Sequence, residues 1–214
     1  MTATPRSKTE MARLVAADIP EGWHVNLGIG LPTLVADHIP TGREIIFHSE
    51  NGILGMGPQP SENELDTWLV NAGKQNVTLV PGASLFHHAD SFAMIRGGHI
   101  DLCVLGAFEV AQNGDIANWT TEANDRVPAV GGAMDLAAGA RNVWVMTTHT
   151  TKDGAPKLVT RCAYPLTAGG AVKRIYSDLA TIEITAQGFV VTAMADGVTR
   201  DDLQRQTGAP LHFG

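Results

Sequence analysis

Apolar positions fall into short runs bounded by turn residues, and their period changes along the chain. EIIFH at 44–48, NVTLV at 76–80, IDLCVLGA at 100–107 and NVWVMTT at 142–148 each predict an interior strand. WHVNLGIG at 23–30 predicts a short strand that runs into a glycine-rich turn. Between these runs the period lengthens. Ser7 and Glu10 form a capping-box pair ahead of Met11, Leu14 and Val15 at helical spacing, and Pro20 and Gly22 stop that helix. PTLVADHI at 32–39 predicts a helix with Pro32 at its first position, where a missing N–H is tolerated. SFAMIRGG at 91–98 and GGAMDLAAGA at 131–140 predict short helices ended by glycine. ATIEITAQGFVVTAM at 180–194 alternates on both sides of Gln187 and Gly188, a hairpin pattern, and Thr199 with Asp202 opens a last helix closed by Gly208.

Strands alternating with helices predict an α/β fold: an open, mainly parallel sheet flanked by helices, formed as one domain over residues 1–214. No internal repeat interrupts the pattern. Ligands of such sheets gather beyond the carboxyl ends of the strands. Glu50, Gly28, Gly30 and the Asn113–Gly114–Asp115 turn are expected at those ends.

The charge balance narrows the function. A formal net charge of -7 with no basic stripe argues against nucleic acid as a partner, while leaving room for an anionic small ligand in a locally positive pocket. No apolar run reaches the roughly 18 residues that a membrane span needs. The two cysteines, Cys103 and Cys162, form no C-x-x-C pair, and the first residues lack a signal-peptide core. A cytoplasmic protein without a membrane anchor is the expectation.

HSENGILGMGP at 48–58 carries the most specific chemistry. It sets Glu50 at the end of an apolar run, just before a glycine-rich stretch. A surface carboxylate beside a turn is the plain reading. Ser49 and Asn51 can orient a carboxylate by hydrogen bonding, and the glycines let a bulky ligand approach the backbone. GIGLPT at 28–33 offers a rival reading, a dinucleotide-binding loop with Glu50 as its ribose-binding acid. Against it, Thr33 stands where the third glycine belongs and Pro32 stiffens the turn. His87, His88 and Asp90 lack metal-ligand spacing, so no metal is expected. Asn118 and Trp119 suit either ligand packing or an anchored strand end. Arg96 suits either a carboxylate partner or a helix C-terminus.

SENGILGMGP, with NLGIGLPT upstream, resembles the B subunits of class I 3-oxoacid CoA-transferases. The resemblance continues through NAGKQNVTL, HHADSFAMIRGGHIDLCVLGAFEV, GDIANW and GGAMDL, and so covers most of the chain. It implies the open α/β layer architecture shared with ribose-5-phosphate isomerase and glucosamine-phosphate isomerase. It implies Glu50 as a nucleophile that carries an acyl group and then CoA. It points to Gly131 or Gly132 as backbone donors to a developing oxyanion. Gly28, Gly30, Asn51 and Lys74 are candidates for contact with substrate or CoA, although Lys74 suits a solvated surface equally well. No resident cofactor is implied, because coenzyme A arrives as a thioester substrate. An A subunit of similar fold is the implied partner, in a heterotetramer of two A and two B chains, with exposed apolar surface at the junction. HHADSF, PAVGGAMDLA and CAYPLT are more similar to the 3-oxoadipate branch. EANDRVPAV at 122–130 lacks the lysines of the acetoacetate branch, which stays the near alternative. A nicotinamide-binding oxidoreductase module and a non-catalytic ligand sensor are the readings from other classes.

Overall fold

The computed structural model describes residues 4–121 and 129–214. Chain order runs α1 (Lys8–Asp18), β1 (His24–Leu27), β2 (Ile46–Ser49), β3 (Ile53–Met56), β4 (Leu79–Leu85), α2 (His88–Arg96) and β5 (Leu102–Leu105). It continues with β6 (Glu109–Ala111), β7 (Ile116–Ala117), α3 (Ala133–Gly139), β8 (Asn142–Thr147), β9 (Leu158–Val159) and β10 (Val172–Ser177). β11 (Ala180–Thr185), β12 (Gly188–Met194), α4 (Arg200–Arg205) and β13 (Leu211–Phe213) complete it.

A ten-stranded sheet has the order β13-β12-β11-β10-β8-β5-β1-β2-β3-β4. Its middle, from β10 through β8, β5 and β1 to β2, is parallel throughout. Antiparallel pairs extend it on both sides, β2–β3–β4 on one and β10–β11–β12 on the other. The central runs are continuously apolar because both faces of the sheet are covered. Cys103, Leu105, Val143 and Val145 pack on one face with Ile95 of α2 and Leu136 of α3. Leu102, Val104, Trp144 and Met146 pack on the other with Met11 and Val15 of α1. Thus successive residues of β5 and β8 divide between two cores, as a pleated strand requires.

Local signals account for the ends of several elements. The Ser7 hydroxyl accepts from the Glu10 N–H at 3.2 Å, and Glu10 Oε2 accepts from the Ser7 N–H at 2.6 Å, so the capping box of α1 is complete. Thr199 caps α4 by accepting from the Asp202 N–H. That helix stops at Arg205, ahead of Gly208, whose N–H donates to Leu158 O at 2.7 Å instead.

Four expectations need correction. NVTLV is not an interior strand. The strand there is β4, which starts at Leu79, lies at the edge of the large sheet and is largely exposed. It contains Pro81, which an edge tolerates because no second neighbour needs its N–H. PTLVADHI forms a 3₁₀ helix, Leu31–His38, rather than an α-helix. The residues after Glu50 do not form only a turn, since Ile53–Met56 pair as β3. The Asn113–Asp115 turn also lies away from the carboxyl ends. It joins β6 to β7 in a separate three-stranded sheet, β7-β6-β9, and Gly114 O accepts from the N–H of Val172, the first residue of β10. It therefore sits at the amino end of that strand.

A buried polar group joins the end of β8 to the end of β10. The His149 imidazole meets Ser177 Oγ at 2.9 Å and Thr207 Oγ1 at 2.8 Å, and the His149 backbone N–H donates to Asp178 Oδ1 at 2.6 Å. Burial pushes this imidazole down to about 4, against the opposing pull of Asp178. It is neutral in the fold but protonates near 6.5 when exposed. Its contribution is therefore complete above pH 6.5 and is lost as pH falls toward about 4. We expect His149→Gln to flatten the acid-side loss of unfolding free energy between pH 7 and 4.5 by about 2–3 kcal/mol, read from urea titrations. Parallel curves for the two proteins would show that His149 does not carry this dependence.

Candidate active site

Glu50 occupies the tight turn between β2 and β3, beyond the carboxyl end of the parallel strands. The glycine after Asn51 is a steric requirement. Gly52 has φ 116, and a Cβ there would lie 2.1 Å from Phe86 O. Its N–H donates to Ser49 O at 2.9 Å and its carbonyl accepts from the Phe86 N–H at 3.0 Å. The turn is thus pressed against the chain entering α2, and the acid is held at its tip.

Behind the carboxylate lies a set of buried polar side chains. Asn26 of β1 donates its amide to Glu50 Oε2 at 2.9 Å. The same nitrogen lies 3.3 Å from His48 O and 3.2 Å from His48 Nδ1. The carboxylate and the carbonyl can only accept, which fixes the orientation of the amide, and its two hydrogens are shared among the three partners. The His48 ring then accepts at Nδ1 and donates through Nε2 to Ser91 Oγ of α2, at 2.8 Å. Burial pushes His48 down to about 4, with His24 adding to the shift, so the ring is neutral near pH 7. Asn26 Oδ1 accepts a weak bond from the Cys103 thiol at 3.9 Å. Burial foremost, and then the Glu50 charge, push that thiol well above its ordinary value, so it stays protonated.

Glu50 opens into a cavity of about 600 Å³. Gly28, Leu105, Phe108, Asn118, Gly132 and Lys157 are among the residues that line it. Asn118 reaches it anchored, donating to Gly106 O at 3.1 Å and accepting from Thr167 Oγ1 at 2.6 Å. Gly28 packs so closely that a Cβ would lie 3.0 Å from Val104 O, and its N–H donates to that same oxygen. In the dinucleotide reading this turn leads into an α-helix. Here it leads into the 3₁₀ helix.

The other candidates separate. Gly132 lines the Glu50 cavity, but a Cβ there would lie 2.9 Å from Phe92 Cζ, and Gly131 has φ 61. Substituting either glycine therefore disturbs packing or backbone as well as any ligand. Gly30 has φ 91 and open space around it. Lys74, at φ 63, lines a second cavity of about 420 Å³ together with His48, Ser49, Asn71 and Gly73. Asn51 donates its amide to Val70 O at 2.7 Å and lines neither of these two cavities. Arg96 pairs with Asp135 of α3 at 2.7 Å. His87 caps α2, and His88 stacks edge-on against Phe92. Trp119 donates to Leu166 O at 3.2 Å. Among the described residues no group of His, Cys, Asp and Glu could hold a metal ion, and no helix is long and apolar enough to cross a membrane. EANDRVPAV, the segment that separates the two substrate branches, lies outside the described residues except for Ala129 and Val130.

Sequence reasoning missed Asn26, His48, Ser91 and Lys157. A polar residue inside each short apolar run, Asn26 in HVNL and His48 in IIFH, was the available signal. Ser91 and Lys157 join only through distant contacts.

Residues 8–206 match the coenzyme A transferase family. The B subunit of 3-oxoadipate CoA-transferase from Pseudomonas putida is 57% identical over 212 residues, covering 99% of both chains. The B subunit of succinyl-CoA:3-ketoacid coenzyme A transferase from Helicobacter pylori is 48% identical, covering 91% of this chain and 93% of its own. Among solved structures, an acyl-CoA transferase from Escherichia coli O157:H7 superposes with a TM-score of 0.74 at 19% identity. This chain is covered completely in that match and spans 43% of the longer enzyme, so the likeness concerns the fold.

The buried set yields a prediction about stability. Asn26→Ala leaves the His48 carbonyl and ring nitrogen without their donor and opens a small void. We expect a loss of about 2–3 kcal/mol in unfolding free energy for Asn26→Ala, and about 1–2 kcal/mol for Ser91→Ala. Denaturant titration reads both. Wild-type stability in Asn26→Ala would mean that this amide does not brace the turn.

Proposed function

Because this chain belongs to the coenzyme A transferase family, we propose that it is the B subunit of an enzyme that moves CoA from succinyl-CoA to 3-oxoadipate through a thioester on Glu50. The observation that carries the reading is the Glu50 carboxylate, held by Asn26 at the lip of a large cavity whose described lining contains no histidine. A carboxylate is ionised near pH 7 and needs no base to become a nucleophile. The neutral His48 is committed to Asn26 and Ser91, so it orients the site without taking a proton.

In this mechanism Glu50 attacks the thioester carbonyl of the donor. The C–S bond breaks, CoA leaves as thiolate, and an acyl-glutamyl anhydride remains. The thiolate then attacks the glutamyl carbonyl, releasing the donor acid and leaving a glutamyl-CoA thioester. The acceptor acid attacks this thioester, and the same steps run in reverse. Oxyanions develop on carbonyl oxygens at each addition, and the backbone N–H groups of Gly131 and Gly132 are the proposed donors. The apolar wall of Leu105, Phe108, Leu136 and Met146 protects the reactive acyl groups from water. Gly28 lets the thioester approach the backbone at the Glu50 cavity, Gly30 lies beside it in the same turn, and Lys74 serves CoA from the second cavity. Coenzyme A is substrate here, and no resident cofactor takes part.

The partner is an A subunit, in a cytoplasmic complex of two A and two B chains. Support comes from the exposed apolar surface around β4, where Trp68 is 93% exposed, Leu85 62% and Leu65 50%. Large apolar side chains left this exposed on one stretch of chain, 65–85, suit a surface that a partner covers. Acetoacetate as acceptor is the near alternative; the Helicobacter pylori relative is named only for a 3-ketoacid acceptor, which fits either acid.

Co-expression with the A subunit, followed by assay of succinyl-CoA against a panel of 3-oxo acids, tests the reading. Glu50→Ala should lower exchange by several orders of magnitude without loss of fold. Borohydride reduction of the acyl-CoA-treated complex should modify Glu50 in the 48–58 peptide. An active complex whose peptide stays unmodified would overturn the covalent route. Acetoacetate outperforming 3-oxoadipate would reassign the acceptor. Trp68→Glu should weaken assembly of the two kinds of chain by about 30-fold, measured by analytical ultracentrifugation. Unchanged assembly would remove this face from the interface.

A further inference from the structure

The cavity in front of Glu50 contains a charge that the proposed chemistry leaves without a role. Among its described lining residues only two ionise, Glu50 and Lys157, apart from the neutral side chains around them. Lys157 is fixed at its backbone. Its N–H donates to His149 O at 3.0 Å, and its carbonyl accepts from the Val110 N–H at 2.9 Å, just before β9. Its ammonium donates to Thr147 Oγ1 at 3.2 Å, and the Thr147 hydroxyl donates to Ala107 O at 3.2 Å. Thr147 is the last residue of β8, so this cation stands at the same edge of the sheet as Glu50.

No salt bridge reaches Lys157 among the described residues. Asp178, the acid whose charge acts on it, already accepts from the His149 backbone N–H. Burial pushes the ammonium below its ordinary range, and Asp178 offsets only part of that. A partly desolvated cation beside an apolar wall is unfavourable unless an anion arrives to meet it. The cavity volume is in the range of small-molecule sites.

We infer that Lys157 anchors a second, distal carboxylate on the acyl group, so that the site selects dicarboxylic acyl groups over monocarboxylic ones. The inference rests on the CoA-transfer reading and deepens it. One end of the substrate meets Glu50, where the acyl carbon reacts. The other end meets Lys157, whose head group Thr147 positions. Succinyl and 3-oxoadipyl groups carry such a carboxylate, and an acetoacetyl group does not.

The test uses the assembled complex of both kinds of chain with Lys157→Met, which keeps the length of the side chain and removes its charge, and with Lys157→Arg, which keeps the charge. The readout is the ratio of kcat/KM for succinyl-CoA to that for butyryl-CoA as donors. We expect Lys157→Met to lower the ratio by about 30-fold or more, and Lys157→Arg to retain most of the preference. An equal fall for both donors, as a purely structural or oxyanion role would give, or an unchanged ratio, overturns the anchor. Calorimetric binding of free succinate and free butyrate to the complex gives a second readout that needs no turnover. Succinate should bind more tightly to the wild type, and Lys157→Met should abolish the difference. Equal binding of the two acids to the wild type overturns the anchor. A wild-type complex that moves no CoA overturns the catalytic reading, while the binding comparison still decides the anchor.

Discussion

The hydrogen bond from Asn26 to Glu50 is the contact on which the site depends. One amide nitrogen serves the carboxylate and the carbonyl and ring of His48, so strand β1 sets the position of a side chain on the turn after β2. The imidazole passes the constraint to Ser91 on α2. The links through His48 are buried and the one to Glu50 is half-buried, and a polar group buried without a partner is costly. Displacing any one of these groups would therefore strand another. The carboxylate inherits a fixed position from packing that lies behind it, and the His48 side of that packing borders the second cavity.

The large sheet makes that arrangement possible. Its five central strands run parallel and end at one edge, so Leu27, Ser49, Leu105 and Thr147 terminate close to one another. Residues just beyond those ends converge although they are far apart in sequence. The antiparallel wings have a different use. On one side β3 folds back to hold the Glu50 turn, and Gly52 lets it press against Phe86. On the other side β11 and β12 extend the core around Phe189 and Ile182.

Charge is sparse around Glu50. The protein carries a net -7, yet the described lining of the Glu50 cavity combines apolar walls with one carboxylate and one ammonium. Low polarity strengthens the pull of each charge on a ligand and weakens the access of water to an acyl intermediate. The overall charge thus says little about the site, because a local field depends on which few groups line a cavity.

Much of this was legible in the sequence. The capping box at Ser7 and Glu10, the hairpin around Gln187 and the buried runs of β5 and β8 follow from local periodicity, and local geometry preserved them. The apolar run at 76–80 misled, since periodicity does not say whether a strand ends up inside a sheet or at its edge. β6, β7 and β9 are too short for any period to register. Glu50 stood out because an acid between an apolar run and a glycine turn is a local oddity, and its motif was specific. What neighbouring residues can specify — turns, caps, alternation, the acid at the lip — the chain determined alone. The tertiary structure decided that Asn26 would hold that acid, that Ser91 would brace His48 and that Lys157 would face the same cavity. Those contacts span from 24 to more than 100 residues, and a periodic pattern holds no information about partners so far away.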